Sequence, residues 1–293
     1  MFWRRKPDPP KIQFATIGRY RIQLPAESRL LEYRERYKRY DSALGEIARI
    51  AQSKYPQLHA IDIGANVGDT AALIRRHADI PVLCVEGDPA VIPILRQNAE
   101  QFGNEVEIEP SFVGPEGQFV DERRIADAGR NASLHEAVRR TGQLPFRSLK
   151  TLLANHRRFA SAKLLKVDTE GFDFRILRSS LEWLGAARPL IFFEYDPSFT
   201  PSEPTAGIDT LMALVGIGYE HFVFYDNFGN FILSLRGVEH DHFRELDRYL
   251  LANRKAGTVV YYFDVCAVHG DDADLAQAIR SHELESASGS SFD

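Results

Sequence analysis

The sequence predicts an α/β fold built on a doubly wound, mostly parallel sheet. Five short apolar runs alternate with segments of helical spacing, and each run closes on glycine or an acidic residue. Buried parallel strands joined by right-handed crossovers have this pattern. Apolar residues make up 44% and charged residues 26% of the 293 residues, enough for a sizeable core. The runs are HAIDIG, PVLCVEG, EVEIEP, KLLKVD and PLIFFEY.

A hairpin and two helices are expected ahead of this sheet. Residues 11–24 alternate imperfectly between apolar and polar side chains, and Gly18 can form the turn. From Glu27 to Tyr55 the apolar spacing is helical, and Asp41 can cap the second helix. Basic residues crowd the first helix, which favours a solvated face over a surface for an acidic partner. They are Arg34, Arg36, Lys38 and Arg39.

The second half of the chain predicts antiparallel strands at one end of the sheet. Two apolar runs, YEHFVFY and NFILSL, flank a turn at 226–229, and the long run TVVYYFDVCAV comes late in the order. Helices are expected near 208–215 and 241–253. Helix starts are predicted at Asp88, which precedes a proline, and at Ser148.

Charge and cysteine usage exclude several classes of protein. The formal net charge of −5 has the wrong sign for a protein that binds nucleic acid mainly through phosphates. Cys84 and Cys266 lie in apolar runs, which indicates buried thiols and a reducing compartment. The start MFWRRKPDPP lacks the apolar stretch of a signal peptide, and no run approaches the length of a membrane span. We expect a soluble cytoplasmic protein.

The loop after the first run predicts a cofactor site. Gly64 and Gly68 permit positive φ and close approach of a ligand, and the amides of the next helix can hold a carboxylate or phosphate. A dinucleotide-binding fingerprint would have glycine at position 66, where this chain has Asn66, so the spacing argues against NAD. Glu86 closes the second run 24 positions after Asp62, and together the two acids predict an adenosine site.

Acidic residues at the ends of the fourth and fifth runs predict the reaction centre. Asp168 is expected to act as a base or to bind an ammonium group, with Glu170 next. Glu194 and Asp196 are expected at the same sheet edge. Such a group could instead bind Mg²⁺ or Ca²⁺, but we predict no metal. Lys166 shares the strand face of Asp168 and is predicted to pair with a carboxylate.

Several segments together resemble the FkbM family of S-adenosylmethionine-dependent methyltransferases. They are AIDIGANVGDTA, VEGDP, SLKTLL, LLKVDTEGFDFRIL and PLIFFEYDP, in this order, and the resemblance covers about residues 18–268. It implies a seven-stranded, Rossmann-like class I methyltransferase sheet. The expected domains are a hairpin and helical cap (1–55), a cofactor-binding methyltransferase domain (56–268), and a C-terminal helix with a mobile tail (269–293).

The resemblance also implies a site for S-adenosylmethionine. The ribose is expected on Glu86 beside Gly87, and Asp62 and Asp168 are included in the cofactor site. Catalysis is assigned to Asp168, Glu170 and His135. The methionine part is expected against Gly64, Ala65, Asn66, Gly68, Asp69 and Thr70, and the adenine beside Ser111, Phe112 and Val113.

His135 follows NASL, residues 131–134, in a segment that we expect to cover the site as a lid. There Arg130, Asn131 and Ser133 offer polar contacts to a sugar-like acceptor. The predicted activity is methylation of a hydroxyl on a sugar or small secondary metabolite. An NAD-dependent dehydrogenase and a non-catalytic, methyltransferase-like regulatory subunit are the alternatives.

Overall fold

The computed structural model describes residues 12–119 and 145–288. Its first elements are the predicted hairpin, β1 (Gln13–Ile17) and β2 (Tyr20–Leu24), and two helices, α1 (Leu30–Arg36) and α2 (Ser42–Lys54). Gly18 has a φ of 58° in the hairpin turn, as its position predicted.

The main sheet contains eight strands within the described residues. The five predicted runs form β3 (Ala60–Ile63), β4 (Val82–Val85), β5 (Val106–Glu109), β8 (Leu164–Val167) and β9 (Leu190–Tyr195), which pair in parallel. The antiparallel strands are β10 (Tyr219–Asp226), β11 (Phe231–Arg236) and β12 (Phe263–His269). The order is β11-β10-β12-β9-β8-β3-β4-β5.

The fold class is confirmed, with one strand more than the seven expected. Both strands of the predicted antiparallel pair enter the sheet, because β11 hydrogen-bonds to the open side of β10 and forms the edge. Two shorter strands, β6 (Phe112–Val113) and β7 (Phe146–Arg147), form a separate parallel pair.

Helices cover both faces of the sheet, which makes it doubly wound. The remaining helices are α3 (Asp69–His77), α4 (Ile92–Ala99), α5 (Leu149–Asn155), α6 (Asp173–Ser179), α7 (Leu181–Ala187), α8 (Ala206–Gly216), α9 (His240–Ala256) and α10 (Ala273–Ser288). One apolar cluster joins β1, β2, α2, α3, α4 and α10 to the first face, and another joins α5, α6, α7, α8 and α9 to the opposite face.

Some predicted helix and strand ends are confirmed and others are wrong. Ser148 caps α5 by accepting a hydrogen bond from the Thr151 amide at 3.1 Å. Asp88 instead closes a turn in which its side chain accepts from Ala90 N, and α4 begins only at Ile92. Asp41 lies at the N-terminus of α2, but its side chain makes no capping hydrogen bond.

The late apolar run is only partly a strand, and the C-terminal helix is longer than expected. Within TVVYYFDVCAV, β12 begins only at Phe263. The residues before it form the connection from α9 to the sheet. Helix α10 extends to Ser288, past the point near Glu285 where the composition predicted a mobile tail. The expected domain boundaries stay a prediction.

Asn98 on α4 ties the hairpin to the loop after β3. Its side chain is buried, accepts from Gln23 N at 2.8 Å, and donates to Gln23 O at 2.9 Å and Val67 O at 2.8 Å. A buried amide with all these partners holds its neighbours in one register. The hairpin and the predicted cofactor loop are therefore fixed relative to each other.

The predicted buried groups are confirmed. Cys84 and Cys266 are buried free thiols, as predicted. The structure also places four aromatic residues of β10 in the sheet core. Among the described helices, none combines the length and apolar character that crossing a membrane requires. The aromatic residues are Tyr219, Phe222, Phe224 and Tyr225.

Candidate cofactor and acceptor site

The loop between β3 and α3 turns against the end of β8. Gly64 has a φ of 78°, and a Cβ added there would lie 1.8 Å from the carbonyl oxygen of Asp168. Asn66 is exposed and has a φ of 46°, a left-handed conformation that asparagine tolerates better than most residues. Gly68, with a φ of 86°, precedes the first residue of α3. Only glycine fits at position 64 without moving the backbone.

Glu86 lies between two loops at the end of β4. Its Oε2 accepts a hydrogen bond from Asn66 N at 2.9 Å, and its Oε1 accepts from Asp88 N at 2.7 Å. Burial raises the pKa of Glu86, and these two amide donors offset part of that effect. Each oxygen has a second lone pair, so the carboxylate can also accept from the two hydroxyls of a ribose.

The predicted adenine segment lies next to Glu86. The Phe112 ring packs against Gly87, where an added Cβ would lie 2.4 Å from the ring. Val113 is buried, and the Ser111 hydroxyl donates to Glu109. The structure therefore brings Glu86, Gly87 and Phe112 together at the end of β4.

Lys166 lies between the carboxylates of Asp62, on β3, and Asp168. Its Nζ lies 3.1 Å from Asp62 Oδ1 and 3.7 Å from Asp168 Oδ2, and it donates to the Gly64 carbonyl at 2.9 Å. Asp62 is fully buried, and its carboxylate accepts no hydrogen bond with acceptable geometry from any described residue. Burial opposes the charged form of Lys166, but Asp62 and Asp168 outweigh it and raise the pKa of the lysine.

Three carboxylates form a row across neighbouring strands. Lys166 pairs with Phe192 in the β8–β9 register, so Asp168 and Glu194 follow two positions later on the same face. Glu194 lies directly opposite Asp264 on β12. Burial, with Asp168 as the next cause, raises the pKa of both Glu194 and Asp264 well above the ordinary range. The row lies at the carboxyl ends of the parallel strands, where open sheets bind ligands.

The turn after Asp168 is shaped by Asp173. This buried carboxylate accepts from Thr169 N at 3.2 Å, Thr169 Oγ1 at 3.0 Å and Gly171 N at 3.2 Å. The turn places Glu170 in a left-handed conformation with a φ of 52°. Burial, reinforced by Asp168, raises the pKa of Asp173 to about 7. Asp168 itself stays half exposed at the mouth of the site.

Asp196 makes contacts that stabilise the fold and is not part of the carboxylate row. It is buried, its Oδ2 lies 2.7 Å from Arg254 Nη1, and its other oxygen accepts from Ser198 N and Ser198 Oγ. Of the four carboxylates expected at this edge, Asp168 and Glu194 lie in the row with Asp264.

The sequence analysis missed several groups whose pKa depends on the carboxylates of the site. Burial raises the pKa of Tyr40 and of Tyr262, and the charge of Asp168 adds to this effect in both. Burial, then Asp69 and Asp168, raises the pKa of Asp41 to about 7. Only the strand register and the path of the chain bring these distant residues together.

Some predicted residues cannot be placed. Arg130, Asn131, Ser133 and His135, with the NASL segment and the expected lid, lie outside the described residues. Within residues 12–119 and 145–288, no three His, Cys, Asp or Glu side chains are arranged to hold a metal ion.

A family model described as the methyltransferase FkbM domain matches residues 62–257, more than half of the chain. The chain belongs to the FkbM methyltransferase family. This match contains the glycine loop, Glu86, and the acidic ends of β8 and β9. The resemblance on the sequence motifs is therefore confirmed, and the protein has a methyltransferase domain.

Solved methyltransferase structures are similar to this FkbM family member at low sequence identity. Methyltransferase FkbM from Methylobacillus flagellatus is 12% identical with a TM-score of 0.41, and the match covers 67% of this chain and 55% of that one. A putative O-methyltransferase from Klebsiella pneumoniae is 13% identical with a TM-score of 0.39, and the match covers 83% of this chain and 89% of that one. The chain thus spans just over half the length of the first of these. A comparison with curated proteins finds no match.

Proposed function

We propose that the protein is an S-adenosylmethionine-dependent methyltransferase that methylates a hydroxyl group of a sugar or small metabolite. The observation that carries this proposal is the position of Glu86, which is hydrogen-bonded between two loops beside the glycine turn of an FkbM domain. A carboxylate at this point can bind a ribose diol. The close approach of Gly64 to the Asp168 carbonyl, together with the hydrogen bond from Lys166 to the Gly64 carbonyl, holds this loop against the end of β8.

Some residues of this site would bind the cofactor, and others would bind the acceptor. Glu86 would hold the ribose, the ring of Phe112 would lie beside the adenine, and the loop Gly64–Thr70 would hold the methionine part. When bound, S-adenosylmethionine supplies a methyl group on a positively charged sulfur. Asp168 is exposed enough to meet an acceptor and would take the proton that the acceptor hydroxyl releases.

The row of carboxylates supports a hydroxylated acceptor. Carboxylates accept hydrogen bonds from hydroxyl groups, and a row that spans three strands can bind several hydroxyls of one molecule. Alignment of the hydroxyl with the methyl group is the main contribution that such a site makes to an in-line transfer. The buried thiols support the expected reducing cytoplasm.

Calorimetry and product analysis test this proposal. We expect the protein to bind S-adenosylmethionine and S-adenosylhomocysteine but not NAD, and to release S-adenosylhomocysteine when it is incubated with a panel of polyols and glycans. Binding of NAD in their place would contradict the cofactor assignment. Cofactor binding with no turnover on any acceptor would favour a regulatory role.

A further inference from the structure

Glu109, the last residue of β5, connects two parts of the predicted cofactor site. Its backbone carbonyl accepts hydrogen bonds from Glu86 N at 3.1 Å and from Ser111 N at 3.0 Å. Phe112, the next residue, begins β6 and packs its ring against Gly87. The end of β5 therefore holds Ser111 close to the carboxylate on which we place the ribose.

The Glu109 side chain lies between two cations. One of its oxygens is 3.2 Å from Arg147 Nη1, and the other is 3.0 Å from His156 Nε2. The second ring nitrogen of His156 contacts Glu107 Oε2 at 2.8 Å. Ionised carboxylates only accept hydrogen bonds, so both ring nitrogens of His156 carry a hydrogen and the ring is positively charged. Contact with two cations favours the ionised form of Glu109.

Ser111 donates its only hydroxyl hydrogen to this carboxylate. The hydrogen bond runs from Ser111 Oγ to Glu109 Oε1, the oxygen that also contacts Arg147. The Glu109 side chain is only 11% exposed, so water competes little for it. Burial opposes the charged form of Glu109, but hydrogen bonds from Ser111 and His156 outweigh it and lower the pKa of the acid. An ionised Glu109 cannot donate, which leaves Ser111 only lone pairs to offer a ligand.

This arrangement makes the half-buried Ser111 hydroxyl a hydrogen-bond acceptor toward the site. The base of a nucleoside whose ribose binds Glu86 would lie against the neighbouring segment 111–113. An amino group on the base can donate to the Ser111 oxygen. A keto oxygen at the same position would instead face it lone pair to lone pair, and the site would reject that base.

We propose that Ser111 determines specificity for the base by accepting a hydrogen bond from its amino group, and that Glu109 is the positioning residue that fixes the direction of this bond. The inference rests on the proposed function. The site then selects a 6-amino purine and discriminates against a 6-oxo purine. His156 and Arg147 act through Glu109, because they stabilise its charge.

Two ligands that differ at one position of the base test the inference without a known acceptor. S-adenosylhomocysteine has an amino group there, S-inosylhomocysteine has a keto oxygen, and calorimetry measures the affinity of the protein for each. We expect the unmodified protein to bind S-adenosylhomocysteine at least about tenfold more tightly, because the keto group leaves a polar contact unmade. Ser111→Ala should weaken S-adenosylhomocysteine about tenfold and leave S-inosylhomocysteine within about twofold.

Variants of two glutamates test the positioning role. Glu109→Gln removes the charge that holds the Ser111 hydrogen, so we expect the preference for the amino base to fall below about threefold. Glu107→Gln is the matched control, because it changes the other carboxylate on His156 and leaves the contact between Ser111 and Glu109 in place. This control should keep the preference within about twofold of its original value. A purely structural role would change both affinities equally.

The outcomes separate the inference from the proposed function. The inference is wrong, and the proposed function stands, if the unmodified protein binds S-inosylhomocysteine as tightly as S-adenosylhomocysteine. It is also wrong if Ser111→Ala changes both affinities equally, or if Glu109→Gln keeps the full preference. Should Glu109→Gln fail to fold, the Ser111→Ala comparison decides. If the unmodified protein binds neither ligand, the proposed function fails and the inference fails with it.

Discussion

Glu86 is the residue on which cofactor binding should depend most. We predict that Glu86→Ala lowers affinity for S-adenosylhomocysteine about 10- to 100-fold, the loss expected when hydrogen bonds to a charged group are removed. Isothermal titration calorimetry measures this change. Glu182→Ala, at an exposed position on α7, is the control and should leave affinity unaltered. An unchanged affinity in Glu86→Ala would remove Glu86 from the site.

Asp168 is expected to act in turnover more than in binding. We predict that Asp168→Asn lowers the rate of S-adenosylhomocysteine release by about 100-fold or more with an accepted polyol, because the amide cannot take a proton. Cofactor affinity should change only a few-fold. If affinity falls as far as the rate, Asp168 instead binds the ammonium group of the cofactor.

Sequence patterns predicted the residues near the glycine loop better than those contributed by β12 and by the segment before α2. The position of Glu86 beside the glycine loop and the pairing of Lys166 with Asp62 were predicted because strand ends and same-face spacing follow from short stretches of sequence. That these residues bind a cofactor stays a prediction. Asp264 and Asp41 were not found, because neither belongs to a motif. Their positions depend on the antiparallel register of β12 and on long-range contacts of the segment before α2, such as the hydrogen bond from Arg39 to the Gly229 carbonyl, which no local pattern encodes.

At the scale of elements, the turn between β3 and α3 should tolerate no side chain at Gly64. We predict that Gly64→Ala destabilises the fold by at least about 3 kcal/mol, since positive φ strain adds to a clash with the Asp168 carbonyl. Gly257→Ala provides the comparison, because Gly257 has left-handed φ and ψ of 69° and 29° but no atom within 4 Å of the added Cβ.

The Gly257→Ala variant should be destabilised only by the left-handed conformation, which costs about 1–2 kcal/mol. Urea unfolding of both variants measures the difference. Equal losses would mean that the approach of β8 to the glycine turn has no energetic consequence.

Element type was more predictable than element ends. Apolar runs bounded by glycine and acids located the five parallel strands of the main sheet, because strands buried on both faces have few other compositions. The ends of α4 and β12 differed from expectation: α4 begins at Ile92 without a side-chain cap, and β12 begins at Phe263. The family resemblance implied seven strands, whereas the apolar runs had placed the hairpin 219–236 at one end of the sheet, where its second strand is the eighth.

At the scale of the whole molecule, His156 should make stability depend on pH. Burial opposes the charged ring, but hydrogen bonds to Glu107 at 2.8 Å and Glu109 at 3.0 Å outweigh it and raise the pKa of His156 above 6.5. A raised folded-state pKa contributes stability that is complete below the unfolded-state pKa and is lost as the pH rises through the folded-state value.

We therefore predict that His156→Gln destabilises the protein by about 1 kcal/mol near pH 5.5 and by much less near pH 9. Urea unfolding of both proteins at the two pH values measures this. The exposed His240 supplies a control. His240→Gln should change the free energy of unfolding by the same small amount at both pH values. A loss that grows with pH would contradict the assigned pairing.

The contacts of Asn98 have a consequence for any shortened version of the protein. A chain that begins at β3 would lose the partner strand, β2, whose backbone satisfies this amide, while retaining the amide itself in an apolar setting. It would also uncover the aliphatic side chains on which the hairpin rests. Removal of the hairpin alone should thus yield an insoluble fragment, and useful truncations must begin upstream of β1.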